Sequence, residues 1–203
     1  MKIKVCGIRN RSNLTFLNES DVDFIGFIFY NKSKRYFEEG DIGGEIVSAK
    51  QKVGVFVNET IDNVVRLAQS HELNYVQLHG DETPEYCKAL KKKGFKLFKA
   101  FSVYDELPTD LFSYEAVVDC FLFDTKGVSY GGNGTQFDWS VLEQYKMNKP
   151  FILSGGIGLE DVSSLMELNH PQLYAVDVNS RFEISPGQKD EQALKEFIKE
   201  LKK

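Results

Sequence analysis

The chain has 203 residues, a formal net charge of −5 and a sequence pI near 5.3. That length carries one substantial core, and no Pro-, Gly- or Ser-rich stretch divides it, so a single domain over residues 1–203 is expected. The acidic balance argues against a nucleic-acid partner, which would require a basic face, but leaves room for a small anionic ligand in a locally cationic pocket.

The opening MKIKVCGIRN lacks the apolar run of a signal peptide, and no later stretch offers about 18 apolar residues to span a bilayer. A cytosolic protein without membrane contact is expected. Cys6, Cys87 and Cys120 are odd in number and widely scattered, which predicts neither a disulfide framework nor a zinc site.

In chain order, short apolar, β-branched or aromatic runs predict buried strands at 3–6, 24–29, 53–57, 75–78, 96–101, 121–124, 151–154 and 173–178. The segment after Phe37 contains Gly40, Gly43 and Gly44, and predicts at most a short or distorted helix. Ile61, Val64, Val65 and Ala68 then fall on one helical stripe. Thr83-Pro84 reads as N-cap and first helical position, with Gly94 just past the end of that helix. Residues 104–114 hold Pro108 and little periodicity, whereas Asp190 precedes a clear amphipathic stripe of Leu194, Phe197, Ile198 and Leu201.

Strand alternating with helix implies parallel strands joined by right-handed crossovers. About eight units of about 25 residues fit a compact (β/α)8 TIM barrel, and a doubly wound open sheet satisfies the same periodicity. In both, ligands sit beyond the carboxyl ends of the strands, so the polar residues at which apolar runs stop carry the functional signal. They are Cys6-Gly7, Gln77 with His79-Gly80, Asp124-Thr125, Ser154-Gly155-Gly156, and Asp177 with Asn179-Ser180.

Ser154-Gly155-Gly156-Ile157 lies between the seventh strand and a helix expected from Leu159, an order that offers backbone N–H groups to a phosphate. A plain tight turn has the same signature, but the second polar turn, Asn179-Ser180, completes the pair of loops from which barrels often build phosphate sites. Cys6 is either presented at the mouth by Gly7 or packed as a small hydrophobe, and the second reading suits Cys87 and Cys120. Asp124 ends the run Phe121-Leu122-Phe123, where a carboxylate needs a polar cavity; it reads as a proton donor with a raised pKa or as a turn cap. A thiol base facing a carboxyl acid suits a proton-shuttling isomerisation that needs no redox cofactor or metal. The planar fork of Arg35 suits a substrate carboxylate, although Lys32-Ser33-Lys34-Arg35 also fits a solvated charge run. His79 is a second ligand contact or a rim histidine, while His71 and His170 belong to helix ends and read as structural.

The ordered set Lys4-Val5-Cys6-Gly7-Ile8, Ser33-Lys34-Arg35, Val76-Gln77-Leu78-His79-Gly80, Phe121-Leu122-Phe123-Asp124, GGNGTQFDW from Gly131, LSGGI from Leu153, VDVNSRFE from Val176 and PGQKD from Pro186 resembles the phosphoribosylanthranilate isomerase family over essentially the whole chain. The resemblance implies a (β/α)8 barrel and an Amadori rearrangement of N-(5′-phosphoribosyl)anthranilate in tryptophan biosynthesis. It implies Asp124 as general acid to the furanose oxygen and Cys6 as general base at C2′. It further implies Arg35 at the anthranilate carboxylate, Gly155, Gly156, Asn179 and Ser180 at the phosphate, and a flexible glycine loop over the site at Gly131-Gly132-Asn133-Gly134.

Two positions depart from the family pattern: Asn133 stands in a loop that usually reads GGTG, and Arg181 replaces the usual glycine after the last strand. Arg181 is read either as a phosphate contact or as a solvated side chain that pairs with Glu183 or with nothing. The related isomerase of histidine biosynthesis, a doubled half-barrel with two aspartates, departs at Cys6, and a non-catalytic binder of a phosphorylated metabolite is the other alternative. The partner expected is a phosphorylated small molecule, and the chain is read as a monomer.

Overall fold

A computed structural model describes residues 1–38, 40–43, 45–125 and 136–203; the glycine loop with Asn133 lies outside them. Eight strands, β1 (Lys2–Val5), β2 (Phe24–Ile28), β3 (Gln51–Phe56), β4 (Tyr75–Leu78), β5 (Lys96–Val103), β6 (Cys120–Thr125), β7 (Phe151–Leu153) and β8 (Leu173–Val178), pair in parallel in sequence order. β8 closes on β1 in the register Lys4↔Asp177, so the architecture is a closed barrel rather than an open sheet.

Around it run α1 (Arg11–Glu19), α2 (Ile61–Ser70), α3 (Pro84–Lys92), α4 (Leu111–Tyr114), α5 (Val162–Glu167) and α6 (Glu191–Leu201). Thr60, Thr83 and Asp190 accept backbone N–H groups as N-caps of α2, α3 and α6, satisfying donors that a helix start leaves unpaired. Where propensity is poor the helices shrink: α4 has four residues after Pro108, and none forms among the described residues between β2 and β3. The helix expected from Leu159 starts as a 3₁₀ turn, Leu159–Asp161, before α5. None of the described helices is long and apolar enough to cross a membrane.

Side chains alternate along each strand between the lumen and the helix layer. Ile3 and Val5 of β1 and Phe121 and Phe123 of β6 belong to the outer core under the helices. Phe24, Val53, Phe98, Cys120, Leu122, Ile152 and Ala175 fill the lumen instead. Its floor is closed by aromatic packing, with Tyr75 stacked on Phe98 at 4.5 Å and Lys2 lying 4.5 Å over the Tyr174 ring. Nearer the carboxyl ends, polar side chains such as Lys4, Gln77, Asp124 and Asp177 enter the lumen beside apolar Ile28 and Val55.

Candidate active site

The parity that sends Ile3 and Val5 outward turns Lys4 and Cys6 inward, and the parity of Leu122 does the same for Asp124. The strand ends thereby form one cleft at the carboxyl mouth. Its walls include Cys6, Arg35, Gln77, His79, Asp124, Gly155, Gly156, Asp177, Asn179, Ser180 and Arg181, so every site residue expected from the sequence meets in one place. Apolar Ile28, Val55, Val57 and Ile157 are also part of the lining, with Tyr30, Ser33 and Ser154.

Asp124 is almost fully buried at the end of β6 and is held by His79 of the β4 end, whose Nε2 lies 3.1 Å from Asp124 Oδ2. The Gln77 amide lies 2.8 Å from His79 Nδ1. Donation from the amide makes Nδ1 the acceptor and leaves the ring proton on Nε2, directed at the carboxylate. Asp177 Oδ1 and Gln77 Oε1 are buried without a hydrogen-bond partner among the described residues, which leaves two acceptors for ligand hydroxyls.

Cys6 lies beside two buried cations. Burial pushes its thiol above the ordinary range, while the ammonium groups of Lys4 and Lys189 pull the other way. Lys4 donates to Asp177 Oδ2 at 2.7 Å across the β1–β8 seam. Burial opposes the charge on Lys4, but Asp177 and Cys6 hold its pKa above the usual lysine value.

After β8, a 3₁₀ turn (Ser180–Phe182) leads into a hairpin of β9 (Glu183–Ser185) and β10 (Gln188–Lys189). Its role is electrostatic. Glu183 accepts from Arg35 Nε at 2.9 Å and Nη2 at 2.6 Å, and from Lys189 Nζ at 2.8 Å. Lys189 also donates to Asn179 Oδ1 at 2.6 Å. Burial opposes ionisation of Glu183, yet Arg35 and Lys189 hold its carboxyl below the ordinary range. Glu183 thus fixes Arg35 from behind and leaves the Nη1 side of the guanidinium fork to a ligand.

Glycine turns shape the rest of the rim. Gly155 and Gly156 have φ of +96° and +64°, a pair of successive positive values that favours glycine at both positions of this turn. Gly7 has φ +77°, and a Cβ there would lie 2.8 Å from Asn179 Oδ1 and 3.0 Å from Arg35 Cδ. Only glycine lets the β1 loop approach both.

Arg181 does not pair with Glu183, which Arg35 and Lys189 already occupy; its guanidinium meets Glu160, of the loop after β7, at the outer edge of the rim. Both members of that pair are substantially exposed. The remaining thiols do not line the cleft: Cys87 lies on the buried face of α3 and Cys120 in the lumen. His71 stacks on Phe29 and His170 packs on Phe151, both away from the mouth.

The family model described as N-(5′-phosphoribosyl)anthranilate (PRA) isomerase matches residues 3–200. The chain belongs to this isomerase family. A relative of that name from Parabacteroides distasonis is 44% identical, covering 99% of this chain and 93% of its own. A solved phosphoribosyl anthranilate isomerase from Thermotoga maritima is 38% identical with a TM-score of 0.84, over 100% of this chain and 98% of that one. Another solved family member, 35% identical with a TM-score of 0.81 over the same shares, is in complex with reduced 1-(o-carboxyphenylamino)-1-deoxyribulose 5-phosphate.

Against this phosphoribosylanthranilate isomerase background, three residues that the sequence did not place in the site stand out: Lys4, Lys189 and Glu183. Lys4 was signalled by strand parity, two residues before Cys6. Glu183 and Lys189 carried no periodic signal, because a three-residue and a two-residue strand are too short to show one.

Proposed function

We propose that the cleft converts N-(5′-phosphoribosyl)anthranilate into 1-(2-carboxyphenylamino)-1-deoxyribulose 5-phosphate, with Asp124 as general acid and Cys6 as general base. The observation that carries this reading is the placement of a buried carboxyl and a buried thiol in the walls of one cleft, between a guanidinium and a glycine turn. Asp124 gives its proton to the furanose oxygen as the C1′–O bond breaks and the anthranilate nitrogen forms the C1′=N bond. The carboxylate left behind accepts from His79 Nε2. The Cys6 thiolate then takes the C2′ proton, and the released electron pair forms the C1′=C2′ bond of an enolamine, which tautomerises to the ketone. Asp177 Oδ1 and Gln77 accept sugar hydroxyls. Catalytic loss of fluorescence from freshly made phosphoribosylanthranilate, with the product confirmed by mass and chromatography, tests the reading; loss no faster than the spontaneous reaction would refute it.

Arg35, braced by Glu183, binds the anthranilate carboxylate in this reading. Arg35→Lys retains the charge but loses the bidentate fork, so steady-state kinetics should show KM rising more than kcat falls. An unchanged KM would remove Arg35 from the substrate contacts.

The phosphate lies on the Gly155-Gly156 and Asn179-Ser180 turns, and Arg181 exchanges Glu160 for it. A phosphomonoester carries about −1.5 to −2 charges near neutrality, more than backbone dipoles alone neutralise. Arg181→Ala should therefore weaken inorganic phosphate as a competitive inhibitor and raise KM, with the penalty shrinking as salt screens the charge. Equal inhibition of both proteins at low ionic strength would leave Arg181 with Glu160 only.

In this reading the catalytic unit is the monomer, although a Thermotoga maritima relative is described as dimeric. Activity per chain should stay constant on dilution through the range in which sedimentation finds only monomer. A fall that tracks dissociation would make the oligomer the active form.

A further inference from the structure

Lys4 is fully buried, does not line the cleft, and sits in a barrel whose interior is otherwise built from residues such as Phe24, Leu122 and Ile152. Stability does not call for it, because a buried ion pair replaced by well-packed apolar side chains usually costs nothing or gains. Its surroundings suggest another use. A Cβ placed on Gly26 of the adjacent strand would lie 2.8 Å from Cys6 Sγ and 3.2 Å from Lys4 Nζ, so sulfur and ammonium flank the same point. Gly26 is what lets them meet, since any larger residue there would push between them. The ammonium is fixed from its far side by Asp177 Oδ2 at 2.7 Å.

We propose that Lys4 is the positioning residue for proton abstraction: clamped by Asp177 beneath the cleft, its ammonium stabilises the anionic, proton-accepting form of the Cys6 sulfur against the cost of burial. The inference rests on the acid–base reading of the cleft and adds to it the group that makes a buried thiol serviceable as a base. Lys4 is suited to this because it touches no bulk solvent, so its charge acts on the sulfur without water between. The charged and titratable groups around Cys6 are Lys4 on its own strand, Asp177 on β8 and Lys189 on β10, with Asp124 and His79 facing Asp177 across the lumen. Lys4 and Lys189 favour the thiolate, and Asp177 opposes it.

The arrangement gives two neighbouring substitutions opposite signs. Lys4→Gln removes the ammonium, and Asp177→Asn removes the competing carboxylate. The readout is the pH dependence of Cys6 alkylation by iodoacetamide, resolved by peptide mass spectrometry; Cys87, pushed up to about 12, serves as an unreactive internal control. Lys4→Gln should move the Cys6 midpoint up by about 1 to 3 pH units, the range expected for loss of an adjacent opposite charge. Asp177→Asn should move it down. In Lys4→Gln the alkaline rise of kcat/KM should move with the alkylation midpoint. A midpoint that stays put in both variants, or moves the same way in both, overturns the proposal, because a purely structural pair would not split the sign.

If Lys4→Gln does not fold, Asp177→Asn decides alone: a lower midpoint supports the lysine–thiolate pair, and an equal or higher one overturns it. Alkylation needs no turnover, so a wild-type protein that fails to isomerise phosphoribosylanthranilate while the midpoints split would sink the functional reading and leave the pair standing.

Discussion

Asp124→Asn should lower kcat by about 10²-fold to 10⁴-fold while the reduced product analogue binds with nearly wild-type affinity. The substitution keeps the shape of the side chain, and the amide oxygen still accepts from His79 Nε2, so the Gln77–His79–Asp124 line that shapes this wall persists. What disappears is the transferable proton, because a carboxamide N–H is not acidic enough to protonate a breaking C–O bond. The loss corresponds to about 3–5 kcal/mol of barrier, more than altered packing at one conservative position supplies. Steady-state fluorescence assays and calorimetric titration measure the two quantities. A kcat near that of the wild type would take the acid role from Asp124.

Cys6→Ala should cause a loss of similar size by removing the base, again with analogue binding retained, because the thiol is small and lies at the edge of the mouth rather than in the outer core. Cys6 also sets a pH signature. Burial raises its pKa above the ordinary thiol value, and the working form is the thiolate, so at neutral pH only a minor fraction is competent. The kcat/KM of the wild type should therefore climb toward the alkaline side, about tenfold per pH unit below the midpoint. The residual activity of Cys6→Ala should lack that climb. A wild-type profile flat from about pH 6 to about pH 9 would show that no thiol titrates in the rate-limiting step.

The fold was legible where burial on both sides of a parallel strand leaves a continuous apolar run. The strands at 75–78 and 173–178 were bounded to the residue, as Tyr75–Leu78 and Leu173–Val178. Periodicity did not distinguish a closed barrel from an open sheet, because closure is decided by β8 finding β1, a contact between opposite ends of the chain. The site was legible for a related reason: a polar residue such as Asp124 or Asp177 is costly at the end of a buried strand and needs a cavity to justify it. What escaped was every charge acting from behind another. Glu183 and Lys189 lie in a hairpin too short for a pattern, and nothing in the sequence ties them to Arg35, far away along the chain, or to Asn179. For Arg181 the sequence left a phosphate contact and a solvated side chain near Glu183 both open, because position along a tight turn says little about side-chain direction, and Glu160 across the rim took the contact.

The division of labour between Asp124 and Cys6 can be read from where each variant stalls. A single turnover of phosphoribosylanthranilate quenched with borodeuteride labels whichever carbon is unsaturated at that moment: C1′ in the ring-opened imine, C2′ in the ketone product. Wild-type protein should yield deuterium at C2′. Cys6→Ala, able to open the ring but not to deprotonate it, should yield deuterium at C1′, and Asp124→Asn should yield no label above the enzyme-free level at either carbon. Label at C1′ from Asp124→Asn equal to that from Cys6→Ala would contradict the assignment of ring opening to the β6 carboxyl and of proton abstraction to the β1 thiol.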